Sequence, residues 1–233
     1  MTPYLILLFV ITFIAYMGRR YGSNETQKVS IFFIGLLLVL FAGLRNKSVG
    51  TDTGTYISLF FRFGDFEHFF LTPEVGFNAL RILTKLISDN YAIHLIGIAL
   101  LVVSLYLLTI TKLTRRYETS IFLFVTLGFY TFFFNGARQG IAAAICFFAI
   151  PWLLERKPKQ YFGLIALAFL FHKTSFVAIF LYFVAMPRVK LKQILIIILA
   201  ALTISLFLSN FVQLATVLFG DKYSTYSEVT EGG

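Results

Sequence analysis

Eight apolar runs, at about residues 4–17, 29–44, 91–111, 119–134, 139–154, 160–171, 174–186 and 191–209, succeed one another along the chain, and they decide the class of fold before any motif is read. Apolar segments repeated in this way have no place in water. In a bilayer each becomes a helix, because a helix satisfies its own backbone hydrogen bonds without solvent. The sequence therefore predicts an all-α, polytopic membrane helix bundle of about eight transmembrane segments. A composition of 58% hydrophobic and 13% charged residues, with a mean hydropathy of +0.84, excludes a soluble globular domain. Several runs fall short of the roughly 20 residues that a crossing helix needs. The pair flanking residue 172 is short enough that a re-entrant hairpin competes with two full crossings. The first run has neither a basic leader nor a small-residue cleavage pattern, so it reads as a retained span.

The net charge of +9 does not point to nucleic acid, because the basic residues sit in short clusters between apolar runs. Lys and Arg are retained on the cytoplasmic side of a membrane, so these clusters orient the chain. With the N-terminus external and eight crossings, the cytoplasmic segments hold Arg19, Arg20, Lys28, Lys112, Arg115, Arg116, Arg156, Lys157, Lys159, Arg188, Lys190 and Lys192. They carry only three acids, Glu25, Glu118 and Glu155. The remaining basic and acidic residues balance on the external side. Residues 1–233 then form a single transmembrane domain with an external loop at 45–90 and an external polar tail at 210–233. That tail reads as the start of another loop, so further spans are expected after it. Within the 45–90 loop, Thr72 as cap, Pro73 at the first position and Glu74 near the positive helix end predict an interfacial helix over 73–88. Its apolar face is Phe77, Leu80, Leu83 and Ile87, with Arg81 and Lys85 on another face.

Between Thr119 and Leu154 the only strongly ionised side chain is Arg138, and an arginine at bilayer depth costs roughly 2.5–3.5 kcal/mol. The partition moves it to the outward tip of a hairpin, in Asn135-Gly136-Ala137-Arg138-Gln139. There Arg138 and Gln139 can grip a phosphate, with Gly136 and Gly140 supplying backbone freedom; the plain alternative is an arginine snorkelling to the headgroups. His172 and Lys173 occupy the next outward tip, as a general base and a phosphate counter-charge, or simply as a polar turn. Asp52 is a base or sugar-hydroxyl ligand, or an ordinary cap. Glu74 carries the same ambiguity. Arg45, directly after the second run, is a phosphate contact or an interfacial residue. His68 and His94 have no partner at metal spacing, and no phosphate loop of the Walker type and no nucleophile elbow occurs. No metal and no cofactor is expected.

Arg45, Gly50-Thr51-Asp52 with Tyr56, Glu74-Val75-Gly76-Phe77 with Leu80, Gly136-Ala137-Arg138-Gln139-Gly140-Ile141-Ala142 and Phe171-His172-Lys173-Thr174-Ser175 together resemble the EpsG family of Wzy-like bacterial membrane proteins. Each motif is short, and only the set, in this order, is specific. The resemblance implies polymerisation of undecaprenyl-pyrophosphate-linked repeat units in exopolysaccharide, capsule or O-antigen assembly, outside the bacterial cytoplasmic membrane. It implies a lipid-linked oligosaccharide substrate, surrounding membrane lipids and other polysaccharide-assembly proteins as partners. On that reading His172, Asp52 and Arg138 are catalytic, and Arg138, Gln139, Arg45, Lys173, Glu74 and Tyr56 bind pyrophosphate or glycan. The competing readings are a lipid-linked oligosaccharide flippase, a membrane O-acyltransferase using His172, and a structural subunit.

Overall fold

The computed structural model describes residues 2–62, 74–185 and 191–207, and among these the chain is helical throughout, with no strand. It divides into two compact units, Met1–Phe183 and Val184–Gly233. The second contributes the apolar helix α12, Leu191–Leu206. In the first unit, α1 (Thr2–Tyr21) and α2 (Asn24–Gly43) form a tight pair whose turn is capped by Ser23, its hydroxyl accepting from Thr26 N–H at 3.3 Å. Two short helices follow, α3 (Thr53–Arg62) and α4 (Val75–Ile87). The long central helix α5 (Tyr91–Leu113) is capped by Asn90.

The next two spans are each built from two pieces. Helix α6 (Tyr117–Thr126) ends at Gly128, whose φ of 83° lies in the left-handed region that closes helices, and α7 (Phe129–Asn135) resumes the path. Helix α8 (Ala137–Phe148) gives way to α9 (Ile150–Leu154) at Pro151, which has no N–H to continue the ladder. Helix α10 (Pro158–Phe171) then runs back beside α8. A 3₁₀ turn (Lys173–Val177) leads into α11 (Ala178–Val184).

Among the described residues, five helical segments are long and apolar enough to cross a membrane: Thr2–Tyr21, Asn24–Gly43, Tyr91–Leu113, Tyr117–Asn135 and Ala137–Leu154. The apolar helices at Pro158–Phe171 and Lys173–Val184 are shorter, so five of the eight expected crossings have a helix of full length. Helix α10 rises only about 21 Å at 1.5 Å per residue. It is stitched antiparallel to α11 by Tyr161 Oη donating to Ala178 O at 2.7 Å and Arg156 Nη1 donating to Tyr182 O at 2.6 Å.

Helix α5 sits at the centre, with Ile98, Ala99, Val102 and Val103 enclosed by its neighbours. Two buried phenols find carbonyls across helices, which satisfies them without water: Tyr130 Oη donates to Leu38 O at 2.7 Å and Tyr117 Oη to Ala15 O at 3.3 Å. The charges segregate to two ends. At one, Arg19 pairs with Glu118 at 2.8 Å, Glu155 pairs with Lys157 at 2.7 Å, and Lys112 lies 4.6 Å from the Trp152 ring. At the other, the loop after α2, the α7–α8 junction and the end of α10 converge.

Helix α4 lies within the helix expected over 73–88. Its inward face is Gly76, Phe77, Asn78, Arg81 and Thr84, while Leu83, Leu86 and Ile87 are 60–75% exposed. Of the expected apolar face, Leu83 and Ile87 point outward, whereas Phe77 turns inward beside Arg81. The polar groups of the inward face find partners there, as Thr84 Oγ1 does with His94 Nδ1 at 2.9 Å. The predicted cap Thr72 and first-turn Pro73 lie outside the described residues, as do His68 and the 210–233 tail.

Candidate functional site

The site is built on the one-residue hinge between α7 and α8. Gly136 adopts an extended φ of −152°, so the chain reverses there and α8 begins at Ala137 with its first N–H groups unpaired. One of them is taken by Tyr56 from α3, whose phenol oxygen accepts from Ala137 N–H at 3.0 Å. Burial pushes the Tyr56 phenol above its ordinary range, with the Arg138 guanidinium acting in the opposite direction. Gly140, expected to loosen this turn, instead lies inside α8, where a Cβ would meet the Phe133 Cβ at 2.3 Å. Its role is to let α8 approach α7. Removing the Tyr56 oxygen in Tyr56→Phe leaves the Ala137 N–H without its partner. We expect a loss of about 1–2 kcal/mol, read as a lowered melting temperature of the detergent-solubilised protein.

With α8 started in this way, Arg138 projects over the end of α4. Glu74, at the N-cap position of α4, makes no capping bond with its side chain. Its Oε2 forms an ion pair with Arg138 Nη1, and its Oε1 lies 3.1 Å from Nδ1 of His172, the residue that ends α10. On the other side of the ring, Nε2 is 3.2 Å from Gln139 Nε2. A carboxylate at Nδ1 accepts the ring N–H, which leaves Nε2 as the lone-pair nitrogen facing Gln139. Arg138 also lies 5.4 Å from the Phe77 ring and 5.9 Å from the Tyr56 ring, and its shielded Nε has no partner among the described residues. Glu74 is 7% exposed. Three helix ends distant in sequence therefore meet on one carboxylate.

The structure brings Glu74, Arg138, Gln139, His172 and Tyr56 together. Arg45 has a different setting: it donates Nη1 to Ala42 O at 2.6 Å and Nε to Thr53 Oγ1 at 3.2 Å, and lies 4.5 Å from the Phe134 ring. It clamps the 46–53 turn against α7, and burial lowers its pKa to about 10. Asp52 accepts the first α3 hydrogen bond through its carbonyl, from Tyr56 N–H at 3.0 Å; its carboxylate pairs with no described residue. Lys173, half-buried at the start of the 3₁₀ turn, likewise makes no ion pair among the described residues. Two contributors escaped the sequence reading. Asn135 Oδ1 accepts from Thr51 N–H at 2.9 Å and ties the turn to the hinge. Arg81 is buried beneath the site, where desolvation, then the Arg138 charge, lowers its pKa. A buried arginine at helical spacing from Glu74 and Phe77 was the available signal.

A bundle of apolar helices with a buried carboxylate, two guanidinium groups and an imidazole gathered at one end is a polytopic membrane protein with a polar site at its helix ends. A family model described as the EpsG family matches residues 28–233, and the chain belongs to that family. Membership suggests a role in polysaccharide polymerisation at a bacterial membrane. No curated protein and no solved structure matches the chain.

Proposed function

We propose that this protein polymerises undecaprenyl-pyrophosphate-linked oligosaccharide repeat units at the external face of the bacterial cytoplasmic membrane, with its N-terminus outside. The observation that carries the reading is the single Glu74 carboxylate shared between Arg138 and His172. Glycosyl transfer from a lipid pyrophosphate needs a base for the acceptor hydroxyl and fixed positive charge for the departing anion, and this arrangement offers both. The acceptor oxygen attacks the anomeric carbon of the donor as its proton passes to His172 Nε2. The bond from that carbon to the pyrophosphate oxygen breaks, and the lipid pyrophosphate leaves beside Arg138, with Lys173 adding charge at the rim. Glu74 stabilises the imidazolium through Nδ1. Gln139 and Tyr56 contact the substrates, Asp52 orients sugar hydroxyls at the loop edge, and Arg45 shapes the loop. The external orientation is supported by the concentration of basic residues in the segments at the opposite end.

The test replaces the chromosomal copy with Arg138→Ala. We expect polymer to fall by about 10²–10³-fold, the scale of losing one charge-stabilising donor, while single lipid-linked repeats accumulate on the outer leaflet. Accumulation on the cytoplasmic leaflet assigns a flippase instead. Intact polymer lacking acyl groups assigns an acyltransferase, and normal chain lengths remove Arg138 from the chemistry.

A further inference from the structure

We infer that the polyprenyl tail of the substrate's carrier enters through a cleft that descends α8 from His172 toward Cys146; the inference rests on the polymerase reading above. The cleft holds about 300 Å³ and is walled by Phe132, Gln139, Ala142, Cys146, His172 and Ser175. Gln139, Ala142 and Cys146 recur at the three- and four-residue spacing that aligns side chains on one helix face, so the cleft runs down that face for about 10 Å at 1.5 Å per residue. Its upper wall is polar, with the Gln139 amide against the imidazole of His172, whose other nitrogen borders the Glu74–Arg138 pair; its lower wall is methyl and thiol. The buried Ser175 hydroxyl has no partner among the described residues. An amphiphile with an anionic head and a hydrocarbon tail matches this gradient.

The dimensions narrow the occupant. A volume of about 300 Å³ lies at the small end of ligand clefts, which run from about 300 to 1,000 Å³. It has room for a stretch of a single hydrocarbon chain and is small for a whole diacyl lipid. Ala142 and Ala143 keep the floor open, and Phe132 is 46% exposed at the mouth. Two larger clefts, of about 380 and 370 Å³, run along α5 toward Lys112, lined by residues such as Tyr106 and Phe124 or Phe32 and Leu107. Neither touches Glu74, Arg138 or His172. Continuity with the charged site singles out the cleft on α8.

The experiment uses the full chain in proteoliposomes with a polyprenyl phosphate bearing a diazirine near its head. Label is mapped by mass spectrometry, and polymer synthesis is assayed in parallel. We expect label in the peptide covering residues 139–146, displaced by unlabelled polyprenyl phosphate but not by phosphatidic acid, and reduced at least about fivefold in Ala143→Phe. Label along α5, or equal displacement by phosphatidic acid, overturns the inference. Polymer made normally by a protein that takes no label on α8 overturns the tail site while the polymerase reading stands. Label on α8 without polymer in the unaltered protein has the reverse meaning.

Discussion

Glu74→Gln abolishes polymer formation, by about a thousandfold or more, in protein that still reaches the membrane. The substitution keeps the shape of the side chain and removes only its charge, yet two groups depend on that charge. His172 loses the acceptor that orients its ring and stabilises its protonated form, a contribution of the order of 10²–10⁴ in general base catalysis. Arg138 loses the partner that aims its guanidinium. Residues acting through one shared group are not additive, so Glu74→Gln combined with His172→Asn should be little worse than either alone. Polymer length on gels, together with turnover in proteoliposomes, reads the effect. Stability responds less: Arg138 keeps its two aromatic faces and its side chain is 26% exposed. The loss should therefore fall well below the 3–5 kcal/mol of a fully buried broken pair. A Glu74→Gln protein that makes chains of normal length would end the assignment of this cluster as the catalytic centre.

The fold was legible because its largest energetic constraint is one-dimensional. Apolar runs must become helices in lipid, and the clusters at Arg19, Lys112 and Arg156 mark where the chain turns back, so the two polar ends emerge from counting alone. The chain's local breaks were not legible in the same way: Gly128 and Pro151 split two spans into pieces without changing the apolar count. On α4 the apolar spacing grouped Phe77 with Leu83 and Ile87, yet Phe77 packs inward with Arg81 while the other two are exposed, a division that periodicity alone does not make. The individual site residues were visible, but not their assembly. Glu74 lies 64 residues from Arg138 and 98 from His172, and beside Pro73 it has the ordinary look of a first-turn acid. Pairing over such separations is set by which helix ends the bundle brings together, and that depends on packing around α5. Arg45 shows the converse. Its position after a span left it as a phosphate contact or an interfacial residue; in the fold Nη1 and Nε serve the carbonyl end of its own helix and Thr53, while Nη2 has no partner among the described residues.

That clamp makes Gly50→Val the second large effect. Gly50 has a φ of 91°, a left-handed conformation that a β-branched residue resists, and a Cβ there would meet Phe134 O at 2.5 Å and Thr53 Oγ1 at 2.9 Å. The backbone strain costs about 1–3 kcal/mol and the overlap a similar amount, so the turn must move. Its movement breaks the Thr51–Asn135 bond of 2.9 Å and displaces Thr53, which lies 3.3 Å from Phe134 O and holds Arg45. Asn135 and Phe134 immediately precede the hinge that aims Arg138, and a misplacement of about 1 Å at such a point costs about 10²-fold in rate. Polymer yield should fall by that factor together with a lower melting temperature. Gly54→Ala is the control four residues on: a Cβ at Gly54 meets nothing within 4 Å, and alanine favours the α3 helix. If Gly50→Val melts and polymerises like Gly54→Ala, the turn does not position the hinge. Arg138 would then depend on Glu74 and Tyr56 alone.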